Sequence, residues 1–160
     1  MSPENDAVVS LREITAENRA AVEALAVTAT QSEYVTGVAD SLLEAAAEPD
    51  ARPWFRAVYA DDEPVGFVML SDGITVDNPD YLGPYYLRRL LVDHRFQGRG
   101  YGSAALRLAI DHLRTRPDAD VLLTSVAAGP ETPLGFYLGF GFTPRGDVHQ
   151  GELVLHLPLT

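Results

Sequence analysis

The sequence predicts an α/β fold, a mixed sheet flanked by helices, and three observations predict it. First, the run Gln97-Gly98-Arg99-Gly100-Tyr101-Gly102-Ser103 separates an apolar strand-like stretch, 85–92, from an amphipathic helical one over 104–113. Second, the apolar run 121–126 follows that helix, so the two strands form a parallel pair around the glycine loop. Third, the strand-length runs 54–60 and 64–71, joined by Asp61-Asp62-Glu63, read as a hairpin.

The elements follow in order. Residues 7–13 read as a first strand with Val8, Val9 and Leu11 apolar. Thr15 can cap a helix over 16–29, where Val22, Leu25, Ala26 and Ala29 share one face. A second helix over 38–47 carries Leu42, Leu43 and Ala46 inward and Asp40, Glu44 and Glu48 outward, and Pro49-Asp50 ends it. The hairpin comes next, then a loop over 72–84 rich in Asp, Asn, Pro and Gly, the strand 85–92 and a helix reaching Arg114. The strand 121–126, a short helix over 133–139 and two closing strands, 142–145 and 152–157, complete the chain. No repeat, linker or low-complexity segment interrupts it, so a single domain over 1–160 is expected.

Composition narrows the function. With no cysteine there is no disulfide framework, thiolate nucleophile or cysteine metal site. The four histidines, His94, His112, His149 and His156, lack ligand spacing, so neither a metal site nor a Ser-His-Asp triad is expected. A net charge of −11 opposes nucleic acid and anionic membrane as partners and favours a cationic substrate. The first residues carry no basic region and no apolar run approaches membrane-spanning length, so the expectation is a soluble cytoplasmic protein.

Glycines at a strand-to-helix turn let the backbone approach a ligand, and free N–H groups at the helix start favour phosphate. A Walker loop is excluded because the chain has no lysine. A dinucleotide fingerprint fails because Ser103 stands where its third glycine belongs. The remaining pattern, Gln/Arg-x-x-Gly-x-Gly/Ala, is met by Gln97, Gly100 and Gly102 and resembles the pyrophosphate loop of the GNAT superfamily of acyl-CoA-dependent N-acyltransferases. In that superfamily a helix bearing a tyrosine just ahead of a Gly-Phe pair follows about 35 residues later, and here Phe136-Tyr137-Leu138-Gly139-Phe140-Gly141-Phe142 occupies that place.

The resemblance implies a mostly antiparallel twisted sheet with a splayed parallel pair at the cofactor site, and acetyl-CoA (coenzyme A) as cofactor. It implies that backbone groups of Leu90, Leu91 and Val92 bind the pantetheine arm. The pyrophosphate would be wrapped by Gln97, Gly98, Arg99, Gly100, Tyr101, Gly102 and Ser103. Tyr137 would protonate the leaving thiolate, and a phenol with a reference pKa near 10 carries the needed proton at neutral pH. Two positions depart from the pattern: Pro130 stands where many relatives have a cofactor-binding Asn, and Tyr86 where some have a glutamate base. A water chain ending at Tyr86, Glu33, Asp80 or Glu152 is the expected substitute.

Within the superfamily, Tyr85-Tyr86-Leu87-Arg88-Arg89-Leu90-Leu91-Val92-Asp93 and the following loop are similar to bacterial spermine/spermidine-type acetyltransferases, in which an aromatic usually stands at the Arg88 place. That branch implies a small polyamine-like amine as acceptor, attacked directly in a ternary complex, and a homodimer as the usual assembly. Glu33, Tyr34, Tyr86 and Glu152 are the candidates to surround the cationic amine through charge pairing and cation–π contact. The alternatives are an aminoglycoside-like antibiotic, an amino acid or a protein amine as acceptor, or a non-catalytic acyl-CoA-binding module.

Overall fold

The computed structural model describes residues 7–160. Seven strands form one sheet: β1 (Val9–Arg12), β2 (Pro53–Ala60), β3 (Glu63–Asp72), β4 (Tyr85–Val92), β5 (Val121–Val126), β6 (Thr143–His149) and β7 (Glu152–Pro158). Their order across the sheet is β1-β2-β3-β4-β5-β7-β6, and every neighbouring pair is antiparallel except β4–β5. The helices are α1 (Arg19–Glu23), α2 (Val38–Ala47), α3 (Tyr101–Leu113) and α4 (Leu134–Phe140). The mixed sheet expected from the sequence is therefore present, with its parallel pair around the glycine loop.

Both sheet faces are covered. The amphipathic α3 buries Ala105, Leu106, Ala109, Ile110 and Leu113 against Val68, Leu70, Leu87 and Leu122. On the other face α1 and α2 bring Val22, Val38 and Leu42 against Phe67, Met69 and Leu91. Each of the larger side chains among these (Val, Leu, Ile, Met and Phe) contributes roughly 1.5–3 kcal/mol on burial, which fixes the sheet as the platform for the site.

Three sequence expectations are corrected. The first helix spans only Arg19–Glu23 rather than 16–29, and its N-cap is Asn18, not Thr15. Past its end, tertiary bonds take the chain out of the helix: the Ala26 N–H donates to Asp93 Oδ2 at 2.9 Å, and the Ala26 carbonyl accepts from the His94 N–H at 2.9 Å. Second, α2 has the expected bounds but a different inner face, Val38, Ser41, Leu42 and Ala45, leaving Leu43 66% exposed and Ala46 exposed. Third, Glu44 and Glu48 do not face outward into solvent; they pair with arginines of β4.

A bulge in β4 explains those pairs. Met69 of β3 opposes Arg89 and Leu70 opposes Leu87, so Arg88 is an extra residue in β4. Alternation would place two consecutive arginines on opposite faces; the bulge lets both reach α2. Arg88 Nη2 donates to Glu48 Oε2 at 2.8 Å, and Arg89 Nη2 donates to Glu44 Oε2. Alternation then resumes with Leu90 toward α3 and Leu91 toward α2.

Candidate active site

The end of β4 is locked before the glycine loop begins. Asp93 is 2% exposed, and its carboxylate accepts from the N–H groups of Ala26 and Arg95 and from Arg95 Nε. Burial alone would raise its pKa, but these donors outweigh burial and hold it at about 2. The latch ties the chain after α1 to β4, which brings Val27 and Gln31 beside the loop. Gln31 and Gln97 then exchange side-chain amide bonds at 2.9 and 3.1 Å, and Gln97 Nε2 also donates to the Val92 carbonyl at 3.0 Å.

Gly98 and Gly100 have φ of 80° and 83°, conformations that side chains rarely adopt, and they turn the chain into α3. The N-terminus of that 13-residue helix opens on a cleft of about 530 Å³. Its other wall comes from β4, which pairs with β5 only at Tyr86–Leu123, with the Thr124 hydroxyl donating to the Leu87 carbonyl at 3.1 Å; beyond that the strands part. Leu91 packs its side chain between α2 and the sheet, so its backbone is what borders the cleft. Pro130, Pro133 and Phe136 close the far side.

A second cleft, also about 530 Å³, lies over the same parting of β4 and β5. Four carboxylate residues line it, Glu44, Glu48, Asp80 and Glu152, with Arg88 and Arg89 engaged by the first two. Across the strands the Tyr86 hydroxyl lies 2.8 Å from Ser125 Oγ, which donates to Glu152 Oε1 at 2.8 Å. The Tyr86 phenol is raised above its usual pKa by burial first and by the Glu152 charge second, against the lowering effect of Ser125 and the two arginines.

The two clefts share Tyr34, Val35, Leu90, Pro133 and Tyr137. Tyr34 reaches over from the segment before α2 and accepts from the Glu131 N–H at 3.4 Å; Gly129 leaves room for its ring, since any Cβ there would collide with the Tyr34 hydroxyl. Tyr137 is held edge-on by Phe136 at 5.2 Å and Phe142 at 5.5 Å between ring centres. Burial pushes the Tyr137 hydroxyl well above its ordinary pKa, with the nearby Tyr86 adding to the shift. A protonated phenol thus sits where the two clefts join.

The structure brings most of the sequence candidates together. Leu90, Leu91, Val92, Gln97, Gly98, Gly100, Tyr101, Gly102 and Ser103 line the first cleft, whereas Arg99 does not and instead lies over the Phe96 ring at 5.6 Å. Tyr34, Tyr86 and Glu152 line the second cleft; Glu33 is exposed and lines neither. Sequence reasoning missed Gln31, Phe136, Ser125 and the Glu44/Glu48–Arg88/Arg89 cluster. Only Phe136 had a local signal, its place beside Tyr137. Among the described residues no group of three or more His, Asp or Glu could hold a metal, and no helix is long and apolar enough to cross a membrane.

The sequence profile of the acetyltransferase (GNAT) family matches residues 19–142. The chain belongs to that family. It is similar to the spermine/spermidine N(1)-acetyltransferase of Bacillus subtilis (strain 168), 27% identical over 148 residues that cover 92% of this chain and 96% of the relative. In fold it is similar to an aminoglycoside acetyltransferase crystallised with coenzyme A, at a TM-score of 0.74 and 16% identity, covering 94% of this chain and 95% of that one. It is also similar to the PaiA N-acetyltransferase of Thermoplasma acidophilum in complex with coenzyme A, at a TM-score of 0.67 and 14% identity, covering 94% and 99%. This GNAT protein is accordingly an acetyltransferase whose cosubstrate is acetyl-CoA. The residues present fit that group: the first cleft offers the start of α3 to phosphate and a β4 edge unpaired with β5 to the amide-bearing arm.

Proposed function

We propose that the protein transfers the acetyl group of acetyl-CoA to the primary amine of a small, polyamine-like cation by direct attack within a ternary complex. The observation that carries this reading is the junction of two clefts at Tyr137, one walled by the glycine loop and the other lined by carboxylates. Two bound substrates meeting at one point need no covalent enzyme intermediate, because proximity supplies much of the acceleration.

Acetyl-CoA brings the activated thioester. The chain's own residues then have separable tasks. The loop 97–103 and the α3 N-terminus hold the pyrophosphate, and the β4 backbone at Leu90, Leu91 and Val92 orients the arm toward the junction. Tyr137 donates its proton to the departing sulfur; the raised phenol pKa keeps that proton in place until a thiolate needs it. Tyr34, Tyr86, Asp80 and Glu152 surround the ammonium groups of the acceptor. Since Arg88 and Arg89 engage Glu48 and Glu44, the carboxylates left to attract a cation are Asp80 and Glu152.

A second reading draws on those arginines. Arg88 Nη1 and Arg89 Nε are buried without a hydrogen-bond partner among the described residues, which would suit an acceptor bearing a carboxylate beside its amine, such as an amino acid. Free-thiol release with spermidine, spermine, a monoamine of similar length, an aminoglycoside and an amino acid decides between them. Preference for the polyamines supports the main reading, and preference for the amino acid replaces it with the second.

A further inference from the structure

The acceptor ammonium must lose a proton before its lone pair can attack, yet β4 presents Tyr86 rather than a carboxylate to the acceptor cleft. The sheet supplies a carboxylate two hydrogen bonds away. Strand alternation and pairing put Tyr86 of β4, Leu123 and Ser125 of β5, and Val154 and Glu152 of β7 on one face. Tyr86, Ser125 and Glu152 all border the acceptor cleft.

Hydrogen count fixes the direction of the chain. A serine hydroxyl has one hydrogen, and Ser125 commits it to Glu152 at 2.8 Å, so Tyr86 is the donor in its 2.8 Å bond to Ser125. The phenol oxygen therefore keeps a lone pair for a proton arriving from the cleft. The groups around Glu152 leave it able to take that proton. Arg88 and Arg89 of β4 are engaged by Glu44 and Glu48 of α2, Asp80 and Tyr81 border the same cleft, and His149 stands opposite in β6, its Nε2–H donating to the Asp80 carbonyl at 3.1 Å.

We propose that Tyr86, Ser125 and Glu152 form a proton relay that deprotonates the acceptor ammonium, with Glu152 as terminal acceptor. It rests on the acetyltransfer reading above. The ammonium proton passes to the Tyr86 oxygen, the phenol proton to Ser125 and the serine proton to Glu152, which becomes neutral and later returns its proton to solvent. The freed amine forms the C–N bond as the C–S bond breaks with its electron pair on sulfur. Tyr137 protonates that sulfur and regains a proton from the second N–H of the nitrogen. Within the relay Tyr86 meets the reacting nitrogen, and Ser125 and Glu152 act on that nitrogen through it, while Glu152 also borders the cleft that holds the rest of the cation. The relay takes over the task of the absent strand glutamate using a carboxylate from a different strand.

Ser125→Ala tests this, because it removes the middle link and keeps the Glu152 charge. Turnover is measured with spermidine, or whichever amine of the panel reacts fastest, and with a fluorinated analogue whose reactive amine is largely unprotonated at neutral pH. Calorimetry measures the affinities for acetyl-CoA and for the amine. The relay predicts a kcat loss of about 10- to 100-fold with the basic amine and affinities within about twofold of wild type. It also predicts a much smaller loss with the weakly basic analogue and recovery in Ser125→Thr. Wild-type kcat in Ser125→Ala, equal losses with both amines, or lost amine affinity at preserved kcat each overturns the relay. A wild-type protein that binds acetyl-CoA but acetylates no amine of the panel overturns the acetyltransfer reading itself, and the relay with it.

Discussion

At the scale of single residues, burial meets opposite outcomes at two groups: it keeps the Tyr137 phenol protonated, whereas at Asp93 hydrogen-bond donors outweigh it and keep the carboxyl ionised. Tyr137 is 7% exposed, and burial strengthens its hold on its proton, so in the acid role proposed for it that proton would be released only when charge develops on sulfur. Tyr137→Phe should lower kcat and kcat/KM together by roughly 10- to 1000-fold while calorimetric acetyl-CoA affinity stays unchanged. Full activity would return Tyr137 to packing between Phe136 and Phe142. Asp93 is the converse case, a carboxyl held at about 2 by its donors. Its folded pKa lies below the unfolded value near 3.9, so its stabilisation is complete above about pH 4 and is lost as pH falls through about 2. Asp93→Asn should destabilise the protein by roughly 1–3 kcal/mol at pH 7, through weakened acceptors for the Ala26 and Arg95 N–H groups and for Arg95 Nε, and the gap should narrow below about pH 4. Urea midpoints across that range check it; a gap that persists unchanged at pH 3 would remove the ionised carboxylate from the account. The place of Tyr137 at the clefts was legible because its motif is local. Ser125 was not, since its partners lie 39 residues before it and 27 after it and a serine in an apolar strand carries no signal of its own.

At the scale of elements, β4 and α3 carry the site. Their bounds could be read from periodicity and glycines, and β4 matches its expected span. The faces of α2 could not be read. A helix with two acids four apart looks solvated, and only the bulge at Arg88, which is invisible without the β3 register, turns two consecutive arginines toward Glu44 and Glu48. The first helix failed for a related reason: Asp93, more than 60 residues away, takes the Ala26 N–H that a longer helix would have used. The second turn residue of α3 offers a clean test of cosubstrate binding. The nearest atoms to a Cβ at Gly102 would be those of the Phe136 ring at 3.5 Å and the Val92 side chain at 3.7 Å, both ordinary contacts, and the residue has no positive φ. Gly102→Asp should therefore fold, yet it sets a carboxylate against the pyrophosphate at the positive end of the helix and should weaken acetyl-CoA on the order of 100-fold by calorimetry. Unchanged affinity in the folded variant would sink the loop assignment.

At the scale of the whole molecule, 23 acidic residues against 12 arginines set a net charge of −11, and the carboxylate-lined cleft concentrates part of that field. A cation diffusing toward such a surface is steered, and the gain fades as salt shortens the reach of exposed charges to about 10 Å at 0.1 M. For spermidine, kcat/KM should thus fall steeply with ionic strength, whereas a monoamine of similar length should respond less because it presents one charge to the field. Asp80 separates steering from chemistry: it is exposed, it borders the carboxylate-lined cleft, and among the described residues no arginine pairs with it. Asp80→Asn should raise KM for spermidine several-fold more than for the monoamine and leave kcat unchanged, since only the polyamine has a second ammonium to pair there. Steady-state kinetics at 0.05 and 0.5 M salt on both proteins checks this. Equal salt responses for the two amines, with no effect of Asp80→Asn, would detach the acidic cleft from substrate choice and leave an acetyltransferase whose acceptor is selected by shape.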